Sequence, residues 1–392
     1  MTRIELRCAR MDNDQPSNVS PDRIGPHELY IGDCVEVMKS FPPDTFHGCV
    51  TDPPYGIGFL GREWDATTPG PEFAAELMRV LKPGAHAVLF AATRTLHRLA
   101  VALEDADFEI RDVIHWAFFS GFPKSLCASR AIDAHLGSDR EVIGQRLTVA
   151  ARTDEGFNST PRGGVPIDIT KPASEEALAW EGWATSLKPA IEPAILVRKP
   201  LDGTVANNLL TYGCGALNID ACRFGNGSAA WLGPSGGDWE SAGHVGPWVV
   251  GGREGTEGPP VRQSHPLGRW PANLYYCPKP STAEREAGCE HLSKRAAPDR
   301  EDNPFARLSP AGTRGNDHPT VKPRGLMNWI LRLVSPPGSR ILEPFAGSGS
   351  TVIAGHGLDL SITAIEIDPD YGEIIRSRWS HADRQMLLDF GP

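Results

Sequence analysis

Apolar and polar positions along the chain switch between a strand period and a helix period. Residues 28–31 (Glu-Leu-Tyr-Ile) form a short apolar run that predicts a strand. Residues 34–41 follow with Val35, Val37, Met38 and Phe41 at helical spacing. Residues 46–51 predict a second strand, and 73–81 a helix with an apolar stripe, stopped by Lys82-Pro83-Gly84. The run 85–92 is almost continuously apolar, as expected of a strand covered on both faces. A helix over 95–106 and a long strand over 108–119, rich in Ile, Val, Trp and Phe, complete this part. Strand and helix in alternation predict a doubly wound α/β sheet.

The pattern breaks at Ser120. A short helix is expected over 129–136, and 150–173, polar with Gly and Pro, is expected to be loop. Residues 191–199, flanked by prolines, predict a strand that pairs antiparallel with 108–119, the stretch between being an insertion. Residues 224–268 hold twelve Gly and five Pro among Trp231, Trp239 and Trp248, and are expected to be poorly ordered without a partner. Regularity returns with a helix over 327–333, strands over 340–342 and 361–367, and helices over 351–356 and 369–382, the last with proline in its first turn. Residues 1–26 are expected to be a flexible arm.

Composition narrows the picture slightly. A hydrophobic share of 40% in 392 residues supports a large core, and 41 Gly with 35 Pro imply much loop. The net charge of −10 does not by itself point to nucleic acid. Residues 261–324 run against it, with eleven Lys/Arg and seven Asp/Glu, a net of +4 that suits either phosphate or a solvated basic face. The eight cysteines contain no C-x-x-C pair, so free thiols in a reducing cytosol and no metal site are expected. The N-terminus has no apolar core of a signal peptide, and no apolar run is long enough for a bilayer.

Two stretches carry candidate chemistry. The first is Asp52-Pro53-Pro54-Tyr55, an acid just past the end of a strand on a backbone stiffened by two prolines. An exocyclic amine on a nucleobase is a poor nucleophile because its lone pair is delocalised into the ring. Acceptors aimed at its N–H groups favour the nucleophilic form. The Asp52 carboxylate and the Pro53 carbonyl supply two, and Tyr55 offers a ring on which an extruded base can stack. Arg62, Glu63, Trp64 and Asp65 form a charged and aromatic cluster close by. Asp33, at the end of the first strand, reads as a helix N-cap or a ligand-facing acid, or both. The second stretch runs from Glu343 through Phe345-Ala346-Gly347-Ser348-Gly349 to Glu366. Here strand, glycine loop, helix and a strand ending in an acid make a nucleoside-binding unit. A phosphate-cradling G-x-x-x-x-G-K-[ST] is absent, as is the third glycine of the dinucleotide spacing.

The order of these blocks resembles the beta class of S-adenosylmethionine-dependent DNA amino-methyltransferases, in which the Asp-Pro-Pro-Tyr strand precedes the Phe-x-Gly-x-Gly loop. His318-Pro319-Thr320-Val321-Lys322-Pro323 is similar to the family's segment near the cofactor carboxylate. Further similarity to phage and prophage members lies in Gly61-Arg62-Glu63-Trp64-Asp65, in residues 120–125 and in Leu187-Lys188-Pro189. The resemblance implies a Rossmann-like, mostly parallel sheet of seven strands with one antiparallel, circularly permuted, with an inserted target-recognition region. It implies a catalytic half over 27–120, an insertion over 121–185, a returning strand over 186–200, a recognition region over 201–317 and a cofactor half over 318–392. Asp52, Pro53 and Tyr55 are the implied catalytic residues. Asp33, Thr320, Lys322, Phe345, Gly347, Gly349 and Glu366 are the implied cofactor site, with Thr320 and Lys322 at the carboxylate, Glu366 at the ribose and Asp33 near the adenine. The implied cofactor is S-adenosyl-L-methionine and the implied partner double-stranded DNA. A homodimer and a cognate restriction nuclease are further partners the resemblance allows, a membrane is not, and a bacterial cytoplasm is the implied location. Adenine N6 is the expected target, from Asp at the motif's first position. Cytosine N4 is the alternative, and RNA or protein glutamine a second one. None of the eight cysteines follows a proline, unlike the nucleophile of the C5-cytosine enzymes.

Overall fold

A computed structural model of the chain describes residues 20–58, 61, 63–119, 121, 125–147, 166–224, 268–293, 295–296 and 313–389. Its strands are β1 (Asp22–Ile24), β2 (His27–Ile31), β3 (Phe46–Thr51), β4 (Leu81–Phe90), β5 (Glu109–Ala117), β6 (Val142–Leu147), β7 (Pro166–Thr170), β8 (Ile191–Arg198), β9 (Leu274–Tyr276), β10 (Arg295–Ala296), β11 (Thr313–Arg314), β12 (Arg340–Glu343) and β13 (Ser361–Glu366). Its helices are α1 (Cys34–Lys39), α2 (Pro71–Val80), α3 (Leu96–Asp105), α4 (Ala128–Leu136), α5 (Glu175–Ala179), α6 (Val205–Tyr212), α7 (Thr282–Glu286), α8 (Arg324–Val334), α9 (Ser350–Gly355) and α10 (Pro369–Asp389).

One nine-stranded sheet runs in the order β1-β2-β13-β12-β3-β4-β8-β5-β9. Strands β2, β13, β12, β3 and β4 are mutually parallel, and β8 is antiparallel to both β4 and β5. The seven expected strands are therefore present with one reversed, and the expected pairing of 191–199 with 108–119 is there. Two edges are additional: β1 pairs antiparallel with β2, and β9 parallel with β5. The permutation is visible in the order itself. Strands β12 and β13, from the end of the chain, fit between β2 and β3, from its beginning.

The apolar runs explain the layering. The side chains of 85–91 in β4 and its extension are all buried, the polar His86 included. Helices α8, α9 and α10 cover one face, with Trp329, Ile330, Ile375 and Trp379 packed on Ile341 and Ile362. Helices α1, α2 and α3 cover the other, with Met38, Leu77 and Leu103 packed on Cys49, Leu89 and Ile365. Each such side chain contributes about 1.5–3 kcal/mol by leaving water. Among the described residues no helix is long and apolar enough to cross a membrane.

Several expectations change. Helix α2 stops at Val80, and Lys82-Pro83-Gly84 lies inside β4 rather than ending the helix. The pairing with β3 jumps from Phe46–Leu81 to Gly48–His86, so these residues form a bulge, with the Gly84 N–H donating to the carbonyls of Lys199 and Pro200. The arm is docked from residue 20 onward: β1 is tied down by ion pairing of Asp22 with Arg376 of α10. Residues 166–170 are not loop but β7, which pairs antiparallel with β6. Helix α6, unexpected from its mixed pattern, is held by buried Asn208, whose amide donates to the carbonyls of Pro83 and Cys214. Helix α10 continues past 382 to Asp389. The glycine-rich stretch, with Trp231, Trp239 and Trp248, falls outside the described residues except at its two ends.

Candidate active site

Parallel strands end together, and here they end in acids. Asp33 follows β2, Asp52 follows β3, and Glu343 and Glu366 close β12 and β13. All four line one cavity of about 270 Å³ at the carboxyl edge of the sheet, together with Thr320, Lys322, Phe345, Gly347, Trp64 and Tyr371. This is the edge where open α/β sheets bind ligands.

The loop after β12 builds the cavity floor. Gly347 adopts φ +54°, and a Cβ there would come within 2.7 Å of the His318 ring. Its N–H donates to Glu366 Oε2 at 2.6 Å, and the Asp368 N–H donates to Glu366 Oε1 at 2.9 Å. Burial pushes the Glu366 carboxyl up to about 7 against those two hydrogen bonds. Gly349, at φ +76°, caps α9 and donates to the Ala346 carbonyl; it does not line the cavity. Arg378 of α10, itself buried, grips the loop by donating to the Ser348 carbonyl at 2.6 Å. Phe345 lines the cavity with its ring centroid 5.2 Å from that of Phe73. Asp33 serves in both senses expected of it: Oδ1 accepts from the Val35 and Glu36 N–H groups as N-cap of α1, and the residue faces the cavity. Cys34 beside it is no nucleophile, since burial pushes its thiol up to about 12.

Glu343 is buried and bridges two secondary elements. Thr51 at the end of β3 and Thr351 in α9 both donate hydroxyl protons to it, and the Phe345 N–H donates at 3.2 Å. Burial pushes its carboxyl up to about 8, and the neighbouring Asp52 adds to the rise.

The Asp52 loop is held from outside the motif. Asp65, buried, accepts from the N–H groups of Tyr55, Gly56 and Ile57 at 2.5, 3.1 and 3.4 Å. The Thr95 hydroxyl donates to the Tyr55 carbonyl at 2.6 Å. Pro53 is buried behind Asp52. Asp52 itself is fully engaged: the Tyr55 hydroxyl donates to Oδ1 at 2.7 Å, and the Lys322 ammonium pairs with Oδ2. Lys322 also lies 3.2 Å from the Tyr55 oxygen and 3.5 Å from Glu192 Oε2. Burial raises the Asp52 carboxyl above its usual range, and Lys322 opposes that rise. Burial alone would lower the Lys322 ammonium, but Asp52 and then Glu192 hold it above the ordinary lysine value.

The structure thus brings Asp33, Asp52, Thr320, Lys322, Phe345, Gly347 and Glu366 to one cavity, with Pro53, Tyr55 and Gly349 immediately behind it. Two placements differ from expectation. The Lys322 ammonium, expected at a cofactor carboxylate, is bound to Asp52. The Tyr55 ring, expected as a stacking platform, turns its hydroxyl into that ion pair. Of the basic residues in 261–324, Lys279, Arg285 and Lys322 point inward, to Glu192, the His318 carbonyl and Asp52. Residues 261–267, 294 and 297–312 of that stretch fall outside the described ones. Sequence reasoning missed Glu192, Glu343 and the anchoring role of Asp65. The signal for Glu192 is an acid at the start of a strand that runs backwards: its first residues meet the carboxyl ends of the others.

A DNA methylase family model, that of the N6 and N4 enzymes, matches residues 252–377. The putative methylase YubD of Escherichia coli K12 is 36% identical over 184 residues, which cover 44% of this chain and 74% of that protein. The type II methyltransferase M2.MboI of Moraxella bovis is 36% identical over 103 residues, 25% of this chain. The match spans only 37% of that relative. A solved structure of M1.HpyAVI in complex with SAM aligns over 89% of this chain and 97% of its own, at 15% identity and a TM-score of 0.42.

Proposed function

The chain belongs to the N6/N4 DNA methylase family, and from that membership we propose that it transfers a methyl group from S-adenosylmethionine to the exocyclic N6 amine of adenine in double-stranded DNA. The observation that carries this reading is the convergence of Asp52 and Glu366 on one cavity from opposite ends of the chain. A base-activating acid and a nucleoside-binding acid are thereby within one ligand's length of each other.

The donor set fits the cofactor. Glu366 offers carboxylate oxygens to a ribose diol, and Asp33 faces the same space from β2. Phe345 and Pro344 supply flat apolar surface, and the side-chain-free Gly347 leaves room for close backbone approach. Thr320 and the backbone around Lys322 remain for the amino-acid end. When bound, S-adenosylmethionine supplies a methyl carbon made electrophilic by its sulfonium, so the protein's task is to prepare the amine.

That task falls to Asp52 and Pro53. A base extruded from the duplex presents two N–H groups. The Asp52 carboxylate and the Pro53 carbonyl accept them and pull the nitrogen toward a tetrahedral geometry with an available lone pair. As the nitrogen gains positive charge, Asp52 stabilises it, and Asp52 is the nearest base for the proton that the nitrogen must then release. Positioned polar groups of this kind contribute roughly 10²–10⁴-fold in rate. Asp65 and Thr95 fix the loop so that the acceptors do not drift.

The test is transfer of labelled methyl to duplex DNA, followed by nucleoside analysis. N6-methyladenine is the expected product. N4-methylcytosine would overturn the choice of base and keep the amine chemistry, and label in RNA or protein glutamine alone would overturn DNA as the substrate.

A further inference from the structure

Strand β8 brings into the site an acid that amine activation does not itself require. Glu192, the second residue of β8, stands 3.5 Å from Lys322 Nζ, 3.4 Å from the Tyr55 hydroxyl and 3.4 Å from Lys279 Nζ. Burial works against its ionisation, but Lys322 and then Lys279 hold its carboxyl below the ordinary range. The charged and titratable groups around it are Asp52, Tyr55, Lys279 and Lys322, with Glu343 beyond Asp52. Lys322 thus lies between two carboxylates, with the rings of Phe90 and Tyr55 at 4.9 and 5.5 Å.

This arrangement poses an electrostatic problem. Asp52 acts on an amine through an oxygen turned to the amine's N–H, and each of its oxygens already holds one donor, the Tyr55 hydroxyl or the Lys322 ammonium. If Lys322 stays clamped to Asp52, a full positive charge sits beside a nitrogen that must itself become positive. If Lys322 simply leaves, an unpaired ammonium is stranded in a buried site, which is strongly unfavourable. A second acceptor within reach of Lys322 removes the dilemma.

We propose that Glu192 is a positioning residue for methyl transfer: it takes over the Lys322 ammonium when the target amine engages Asp52. The Tyr55 hydroxyl, already between Asp52 Oδ1 and Glu192 Oε2, shifts in the same direction. The inference rests on the amine-methylation reading above, and adds to it a residue that acts through Lys322 rather than on the base.

The experiment is single-turnover methyl transfer to duplex DNA by wild type and Glu192→Gln across pH, with cofactor affinity measured by calorimetry. Glu192→Gln is expected to bind S-adenosylmethionine within about 2-fold of wild type and to transfer methyl about 10-fold more slowly or worse. The deficit is expected to persist across pH, because Asp52 still holds the Lys322 ammonium protonated. Glu192→Asp, which keeps the carboxylate, is expected to recover most of the rate. In a Lys322→Met background the further change Glu192→Gln is expected to have less than about a 2-fold effect, the non-additivity of residues acting as a unit. Where the amide variant does not fold, Lys279→Gln gives a second reading. It removes a competitor for Glu192, so the rate must hold or rise, and a 10-fold fall overturns the proposal. A Glu192→Gln enzyme with wild-type rate and pH profile, or one equally slowed in the Lys322→Met background, also overturns it. A wild type that transfers no methyl to DNA refutes the parent reading instead.

Discussion

Replacing Glu343 by glutamine should make the protein more stable at alkaline pH, not less. The wild-type carboxyl is enclosed by Thr51, Thr351 and the Phe345 N–H, and burial pushes it from its ordinary value of 4.5 to about 8. An acid raised in this way keeps its proton in the folded chain over a range in which the unfolded chain has lost it. Its favourable contribution is complete below pH 4.5 and disappears as pH rises through 8. At about 1.4 kcal/mol per pH unit, linkage gives a loss of about 1.4 kcal/mol by about pH 5.5 and about 4.5 kcal/mol by about pH 8.5. Between those two conditions Glu343 therefore removes about 3 kcal/mol from the wild type. Glutamine has nearly the same shape, accepts from one threonine, donates to the other, and never ionises. Glu343→Gln should match the wild type within about 1 kcal/mol near pH 5.5 and exceed it by about 2–3 kcal/mol near pH 8.5. Glu366, pushed up to about 7, titrates in both proteins and cancels in the difference. Denaturant unfolding of both proteins at the two pH values reads the quantity directly. Stability curves that stay parallel from pH 5.5 to about 8.5 would show that Glu343 does not change its proton affinity on folding, and the reasoning would fall.

Other expected outcomes follow from the same geometry. Asp52→Ala should transfer methyl at least ~100-fold more slowly while still binding cofactor, with Asp52→Asn between the two; near-wild-type turnover of labelled methyl would remove Asp52 from the chemistry. Glu366→Ala should weaken S-adenosylmethionine by roughly 1–3 kcal/mol in calorimetry, from lost charge-assisted hydrogen bonds, and unchanged affinity in a folded variant would exclude it from the site. Asp65→Ala leaves three loop N–H groups without their acceptor and should lower stability by about 1–3 kcal/mol and slow turnover, since Asp52 is then loosely held; thermal unfolding and transfer assays that both match wild type would contradict that anchoring role.

Much of the sheet could be read from residue pattern because its strands are buried on both faces. The run over 85–92 and the reversed strand over 191–199 carry a strand signal with little competition. Asp33, Asp52 and Glu366 were locatable because each lies just past or at the end of an apolar run, and in a parallel sheet that position selects the ligand edge. What stayed hidden depends on contacts between distant segments. The bond from Lys322 to Asp52 spans 270 residues, and no local pattern announces it. Glu192 escaped because its position at the active edge follows from strand direction, known only once β8 is seen to run backwards. Asp65 reads in the sequence as one charge in a charged and aromatic cluster, yet it is buried and accepts from the loop that follows Asp52. The hairpin of β6 and β7 was obscured by short strands, and α6 by a sequence whose helix depends on Asn208 finding the carbonyls of Pro83 and Cys214.

The interleaving of β12 and β13 between β2 and β3 also sets a timetable for synthesis. When Thr51 has left the ribosome, the two strands that lie between β2 and β3 do not yet exist, and Arg340 lies 289 residues away. At ordinary elongation rates of about 5–20 residues per second the wait is roughly 15–60 s. For that time two apolar strands present unpaired edges, which is the setting in which nascent chains engage chaperones or one another. Limited proteolysis of ribosome-bound chains should find 27–51 cleavable until the segment through 366 emerges, and protected afterwards. The same timetable has a protective side for the cell. In the proposed mechanism Asp52 gains its cofactor wall only when residues 318–392 arrive, so prematurely terminated products would carry Asp52 without the residues proposed to hold the cofactor.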